Sequence, residues 1–120
     1  MNRNILVVDD EVGIRLLLED LLAADGYTVY TAQTGKEALE LINLHKIDLM
    51  IIDYKLPIID GIEVIKQLDR DNKQIKIVLM SGLAESLTDE IYQLSSITKV
   101  LSKPFDVMEF KGYINQLLAD

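Results

Sequence analysis

Short apolar runs alternate with segments of helical periodicity along this chain, and that alternation constrains the fold more than any other feature. Residues 5–8 and 49–52 are continuously apolar, which is typical of strands buried on both faces of a parallel sheet. Because crossovers between parallel strands are right-handed, the pattern favours a doubly wound α/β sheet with helices on both faces. We predict a helix in each gap between five strands, which lie at about residues 4–8, 27–31, 48–52, 75–80 and 99–102.

Local signals place three of the helix boundaries. Thr34 and Asp106 are each followed three residues later by a glutamate, Glu37 and Glu109. In that arrangement the first side chain caps the helix and the glutamate can reach back to the cap amide. Gly26 predicts the end of the first helix, because glycine readily adopts the left-handed conformation found there.

Composition limits the classes of function. With 12 lysines and arginines against 20 aspartates and glutamates, the formal net charge is −8, which argues against nonspecific binding of nucleic acid or anionic membranes. The 120 residues fit one domain, so we expect a single monomeric domain over residues 1–120. Absence of cysteine excludes disulfides and thiolate chemistry. Since no apolar run spans a bilayer and no signal peptide precedes the first strand, we expect a cytoplasmic protein.

Four of the five predicted strands end on an acid, a hydroxyl or an ammonium. Asp9 and Asp10 follow the first strand, Asp53 the third, Ser81 the fourth and Lys103 the fifth. The carboxyl ends of the strands form the ligand-binding edge of a doubly wound sheet, so we expect these groups to converge. Three packed carboxylates repel one another unless a hard divalent cation joins them. The set favours magnesium-assisted phosphoryl chemistry, with the ammonium as a second cation.

These strand ends also carry four short motifs in a fixed order. They are Val-Val-Asp-Asp-Glu at 7–11, Asp-Tyr-Lys-Leu-Pro-Ile-Ile-Asp-Gly at 53–61, Met-Ser-Gly at 80–82 and Lys-Pro-Phe at 103–105. Each motif alone is weak, but together they make the chain resemble the receiver domains of two-component response regulators over nearly its full length. The resemblance implies a flavodoxin-like, five-stranded sheet of order 2-1-3-4-5.

The resemblance implies a role for each acid. Asp53 matches the phosphoacceptor, which takes a phosphoryl group from a phosphohistidine. Asp10 and Asp53 match direct ligands of Mg²⁺ (or Mn²⁺), Asp9 acts through a water molecule, and the backbone carbonyl of Lys55 completes the protein ligands. The side chain of Lys55 is expected to lie in solvent.

Two further residues match groups that contact the phosphoryl oxygens in the family. Lys103 matches a lysine that pairs with the acids before phosphorylation and with the phosphoryl group afterwards, and Ser81 matches a hydroxyl that donates to that group. The peptide bond before Pro104 is typically cis in the family. Taken singly, each residue has an ordinary alternative: Asp9 or Asp10 as a helix cap, Ser81 as a turn hydroxyl and Lys103 in a surface turn.

A docking surface beside the acidic edge is a further hypothesis. Ile14 and Leu17 lie early in the first helix, on the same broad apolar arc as its core residues. Together with Gly13, Pro104 and Phe105 they would form an apolar collar for a partner protein. The alternative, that Ile14 and Leu17 are simply core residues, has equal weight at this point.

Within the family, the segment from Asp9 to Leu18, together with Lys55 and residues 103–106, resembles the stand-alone receiver of the sporulation phosphorelay. That similarity implies a phosphoryl carrier that serves a sensor histidine kinase and a histidine phosphotransferase, with an aspartyl-phosphate phosphatase as a further partner. Val100 stands where many receivers carry an aromatic side chain whose rotation reports phosphorylation. Because valine cannot replace that rotation, it favours a carrier over a switch. Because the chain ends soon after the last helix, we expect no output domain. The resemblance implies a phosphotransferase-like carrier with an aspartyl-phosphate intermediate, which is not an independent turnover enzyme.

Three alternatives remain. A chemotaxis-like single-domain receiver, which binds its partner when phosphorylated, is the main one. An aspartate-nucleophile phosphatase is disfavoured because Lys55 stands where a second acid is expected, two residues after Asp53. A flavin-binding protein of the same fold is disfavoured because the loop after the first strand is acidic, where a phosphate site offers hydroxyls and amides.

Overall fold

A computed structural model describes residues 3–82, 91, 94 and 96–119 of the chain. Its strands form one parallel sheet in which the first strand lies between the second and the third, and the fourth and fifth follow. The predicted α/β class and the order 2-1-3-4-5 are therefore confirmed. The strands are β1 (Asn4–Val8), β2 (Thr28–Ala32), β3 (Leu49–Asp53), β4 (Lys76–Gly82) and β5 (Ile97–Lys103).

Helices cover both faces of the sheet. Most of the gap between β4 and β5, where a further helix is predicted, lies outside the described residues. Within the described part of the chain, no helix is long and apolar enough to cross a bilayer. The described helices are α1 (Val12–Ala24), α2 (Gly35–Leu44), α3 (Gly61–Arg70) and α4 (Val107–Leu117).

The apolar core is divided by the sheet into two layers. On one face, Ala38 and Ile42 of α2 and Val64 of α3 pack against alternate residues of the strands. On the other face, Leu18 of α1 and Phe110 of α4 pack against the intervening strand residues. Because both faces are covered, β1 and β3 are buried along almost their whole length, as their continuously apolar sequences predict.

The predicted helix signals are confirmed. The Thr34 hydroxyl accepts a hydrogen bond from the amide of Glu37 at 3.1 Å, and a carboxylate oxygen of Asp106 accepts one from the amide of Glu109 at 2.9 Å. Helix α1 ends just before Gly26, whose φ of 94° is left-handed.

The predicted limits of β4 and β5 are too short. β4 continues to Gly82, and β5 begins at Ile97 instead of about residue 99. The extra length of β4 comes from continued pairing of Ser81 and Gly82 with Ser102 and Lys103. The early start of β5 comes from a register shift: Ile77 pairs with Ile97, whereas the next residue of β4 pairs with Lys99, so β5 contains one extra residue. That bulge interrupts the alternation by which the start of a strand is recognised.

Candidate functional site

Side-chain alternation explains why an acid and a lysine meet at the carboxyl edge of the sheet. Asp53 ends β3 two residues after Ile51, and Lys103 ends β5 two residues after Leu101. Ile51 and Leu101 both belong to the core layer under α1 and α4. Since side chains two positions apart in a strand share a face, Asp53 and Lys103 are directed to the same side of the sheet. Asp9 directly follows β1 at the same edge.

One ammonium group joins these acids. The Nζ atom of Lys103 lies 2.8 Å from Oδ2 of Asp9 and 3.3 Å from Oδ2 of Asp53. Glu11 supplies a third carboxylate, with Oε1 3.8 Å from the same nitrogen. The predicted convergence of residues from β1, β3 and β5 is therefore present, and the Lys103–Pro104 peptide bond is cis.

Burial makes this ion pairing energetically significant. Asp9 is fully buried and Asp53 is 6% exposed, so both carboxylates lose most of their solvation, and without a cation they would also repel one another uncompensated. Burial alone would lower the pKa of Lys103, but its hydrogen bonds to Asp9 and Asp53 and their negative charges outweigh that effect and raise the pKa. Lys103 is therefore held in the charged form.

The acids are also close enough to share a divalent cation. One carboxylate oxygen from each of Asp9, Asp10, Glu11 and Asp53 lies within 4.8 Å of all the others. Asp10 and Glu11 are exposed, whereas the other two are buried, so the cluster has an open side. An all-oxygen, multiply charged donor set of this kind suits Mg²⁺ or Mn²⁺ and does not suit softer metals.

A close backbone contact fixes the position of Asp53. A Cβ atom added to Gly61 would lie 2.3 Å from the carbonyl oxygen of Asp53 and 3.3 Å from Cα of Tyr54. The amide of Gly61 also donates a 3.0 Å hydrogen bond to the Tyr54 carbonyl. Helix α3 therefore starts directly against the end of β3, which only glycine permits.

The remaining predicted residues occupy the same edge. Ser81 is buried near the end of β4, one residue beyond Met80, which pairs with Asp53 in the sheet. Lys55 lies in the loop after β3 with an exposed side chain, as expected. The roles assigned to Ser81, to the carbonyl of Lys55 and to each ligand stay predictions.

Comparison with known proteins decides the family. The family model described as "Response regulator receiver domain" matches residues 5–115. The chain belongs to the response regulator receiver family.

Relatives of this receiver include both stand-alone proteins and parts of longer ones. It is 34% identical over 119 residues to sporulation initiation phosphotransferase F of Bacillus subtilis, covering 98% of this chain and 95% of that protein. It is 36% identical to the alkaline phosphatase synthesis transcriptional regulatory protein PhoP of the same organism, covering 98% of this chain but only 49% of that protein. The receiver therefore spans about half of the PhoP chain.

A solved structure supports the same fold. The response regulator TrrA of Thermotoga maritima, solved in complex with Mg²⁺ and BeF, superposes with a TM-score of 0.80. The two sequences are 35% identical, and the match covers 97% of this receiver and 99% of TrrA.

An apolar cavity of about 430 Å³ adjoins the acidic site of the receiver. Leu17 is 42% exposed, and Ile14 and Phe105 are half-buried. Gly13 is exposed, and among the described residues no atom outside its chain neighbours and its own helix backbone lies within 4 Å of where its Cβ would be. The exposure of Leu17 does not fit a purely core role, whereas Ile14 packs against the core as well as lining the cavity. The cavity is lined by Glu11, Ile14, Leu17, Lys103, Pro104, Phe105 and Val107.

Sequence reasoning missed three contributors to the site region. Glu11 was not assigned, although it directly follows the acidic pair. Asp60 caps α3 by accepting a hydrogen bond from the amide of Glu63 at 3.0 Å, and the glutamate three residues on was an available signal. Arg15 donates from Nη1 to the backbone carbonyl of Asp9 at 2.7 Å, a contact that only the folded chain reveals.

Proposed function

We propose that this receiver is an Mg²⁺-dependent phosphoryl carrier. Asp53 accepts a phosphoryl group from a sensor histidine kinase and passes it to a histidine phosphotransferase. The proposed phosphorelay is cytoplasmic and of the kind that controls the initiation of sporulation. The observation that carries the proposal is the position of one partly buried ammonium, that of Lys103, against the carboxylates of Asp9 and Asp53.

The proposed reaction needs few groups. A carboxylate oxygen of Asp53 attacks phosphorus, a P–O bond forms, and the P–N bond of the phosphohistidine breaks with its electron pair going to the imidazole. The ammonium of Lys103 moves from pairing carboxylates to pairing the phosphoryl oxygens, so its charge remains compensated. The hydroxyl of Ser81 donates a hydrogen bond to a further oxygen. Return of the group to a second histidine is the reverse of the same exchange.

The cation is assigned to the open side of the acidic cluster. Carboxylates of Asp10 and Asp53 and the carbonyl of Lys55 are proposed as direct ligands, with Asp9 acting through water. The mutual 4.8 Å spacing of the carboxylate oxygens supports this assignment. When bound, Mg²⁺ neutralises charge on the non-bridging phosphoryl oxygens.

One observation favours a carrier over a phosphorylation-dependent switch. Val100 is half-buried and packs against the core, so the aromatic rotation implied for many receivers has no counterpart at this position. The collar of Gly13, Ile14, Leu17, Pro104 and Phe105 is proposed to dock both the kinase and the phosphotransferase. All of these residues except Gly13 line the cavity beside the site. An aspartyl-phosphate phosphatase is a proposed third partner.

A phosphotransfer assay tests the proposal. The receiver is labelled with acetyl phosphate and Mg²⁺ and then mixed with a histidine phosphotransferase from the same genome, and label is followed on both proteins. A carrier transfers its label to histidine, whereas a chemotaxis-like switch retains the label until it is hydrolysed. Asp53→Asn should abolish labelling. Asp60→Asn is the matched control, since asparagine caps helices as well as aspartate does and Asp60 lies outside the carboxylate cluster.

A further inference from the structure

We infer that Arg15 is a positioning residue for the proposed metal site, acting through the peptide that joins Asp9 to Asp10. The inference rests on the proposed function, because it concerns the affinity of that site for Mg²⁺. Among the described residues, the Arg15 side chain contacts none of the four clustered carboxylates. It donates instead to the backbone carbonyl of Asp9.

Every polar atom of Asp9 is held by a different part of the fold. Its amide donates to the carbonyl of Ala32 at 3.1 Å. Its Oδ1 accepts from the amide of Glu11 at 2.9 Å, and its Oδ2 accepts from Lys103 at 2.8 Å. Its carbonyl oxygen accepts from Arg15 at 2.7 Å. Of these contacts, the one from Arg15 is the only one that acts on the peptide plane leading into Asp10.

That peptide plane determines the position of the Asp10 backbone. A peptide unit is planar, so fixing the carbonyl oxygen of Asp9 also fixes the amide and Cα of Asp10. Asp10 is exposed, and little packing restrains it. Loss of the Arg15 contact would therefore broaden the positions of the Asp10 carboxylate, which the proposal makes a direct ligand. Mutation of residues that hold metal ligands in place commonly weakens metal affinity by about ten-fold to 100-fold.

The location of Arg15 is unfavourable for the helix that carries it. It is the fourth residue of α1, which has no acidic residue in its first turn. A cation at a helix amino terminus opposes the helix dipole and is disfavoured. Its placement is accounted for by the carbonyl of the fully buried Asp9, which lies beyond the end of β1 and has no other hydrogen-bond partner among the described residues.

The sign of the effect separates positioning from simple electrostatics. If the guanidinium acted only through its charge, it would repel Mg²⁺, and its removal would tighten binding. If it positions Asp10, its removal weakens binding. Arg70 provides a matched control, because it is 61% exposed and pairs with Glu63 on α3, so Arg70→Ala changes the net charge equally.

Isothermal titration calorimetry with Mg²⁺ tests the inference on the full chain. We expect Arg15→Ala to bind about ten-fold more weakly, Arg15→Lys to lose less, and Arg70→Ala to match the unmodified protein. Circular dichroism under the same conditions establishes that each variant is folded, and Arg15→Lys carries the test where alanine prevents folding.

Two outcomes would count against these ideas in different ways. Unchanged or tighter Mg²⁺ binding by the Arg15 variants would overturn the positioning role and leave the proposed function intact. Failure of the unmodified protein to bind Mg²⁺ would overturn the proposed function, and the inference with it.

Discussion

Replacement of Gly61 by alanine tests how the fold holds Asp53 in place. The added Cβ would lie 2.3 Å from the carbonyl oxygen of Asp53, whereas real Cβ atoms essentially never approach within 3.0 Å. The chain must therefore move by at least the difference, 3.0 − 2.3 = 0.7 Å. The obstructing atom belongs to the backbone of a buried strand and cannot rotate aside, so we expect a loss near the upper end for overpacked sites, about 3 kcal/mol.

Urea denaturation measures this loss, and Gly112→Ala is its control. Gly112 is an exposed residue of α4, and an added Cβ would meet nothing in the described residues within 4 Å beyond its chain neighbours and its own helix backbone. Alanine there should therefore stabilise the protein by about 0.5–1 kcal/mol. Because the displacement is at the proposed phosphoacceptor, Asp53, Gly61→Ala should also slow labelling by acetyl phosphate under conditions where it is folded. Equal unfolding midpoints for Gly61→Ala and the unmodified protein would refute the steric argument.

Three further predictions concern the ammonium, a strained loop residue and the collar. Lys103→Met should lower the free energy of unfolding by about 3 kcal/mol at neutral pH, because it leaves buried carboxylates without their cation. Since the pKa of Lys103 is raised in the folded protein, its contribution to stability is complete below the ordinary value of 10.5 and is lost as pH rises through the folded-state pKa. A difference in unfolding free energy between variant and unmodified protein that grows at alkaline pH would be contrary evidence. Ile58→Gly should stabilise the protein by about 0.5–1 kcal/mol in thermal unfolding, because Ile58 has a left-handed φ of 70° that strains a β-branched residue and its side chain is 99% exposed. A loss of stability would show that the conformation is not strained. Ile14→Ala and Leu17→Ala should slow transfer to a phosphotransferase more than labelling by acetyl phosphate, and equal losses in both assays would indicate damage to the core.

Much of the fold is predictable from local sequence patterns. Continuous apolar runs indicated β1 and β3, and the pairs Thr34 with Glu37 and Asp106 with Glu109 marked two helix starts that the structure confirms. The start of β5 was not predictable, because its bulge depends on pairing with β4 and leaves no periodic signal.

The site was predictable to the extent that it follows from strand ends. Asp9, Asp53 and Lys103 meet because β1, β3 and β5 end at the same edge of one parallel sheet, in which β3 lies next to β1 and only β4 separates β3 from β5. The contact of Arg15 with the Asp9 carbonyl was not predictable, because it depends on the side-chain direction at the start of α1. Glu11 was overlooked for a different reason: an exposed acid beside two others has an ordinary explanation as a solvated charge.

The most direct test of the account is to identify the residue that receives the phosphoryl group. The receiver is incubated with acetyl phosphate and Mg²⁺, reduced with borohydride, which converts an aspartyl phosphate to homoserine, and examined by peptide mass spectrometry. We predict homoserine at position 53 only, and none when Mg²⁺ is removed by chelation. Modification at a different residue, or undiminished modification of Asp53 without a divalent cation, would contradict the proposed site.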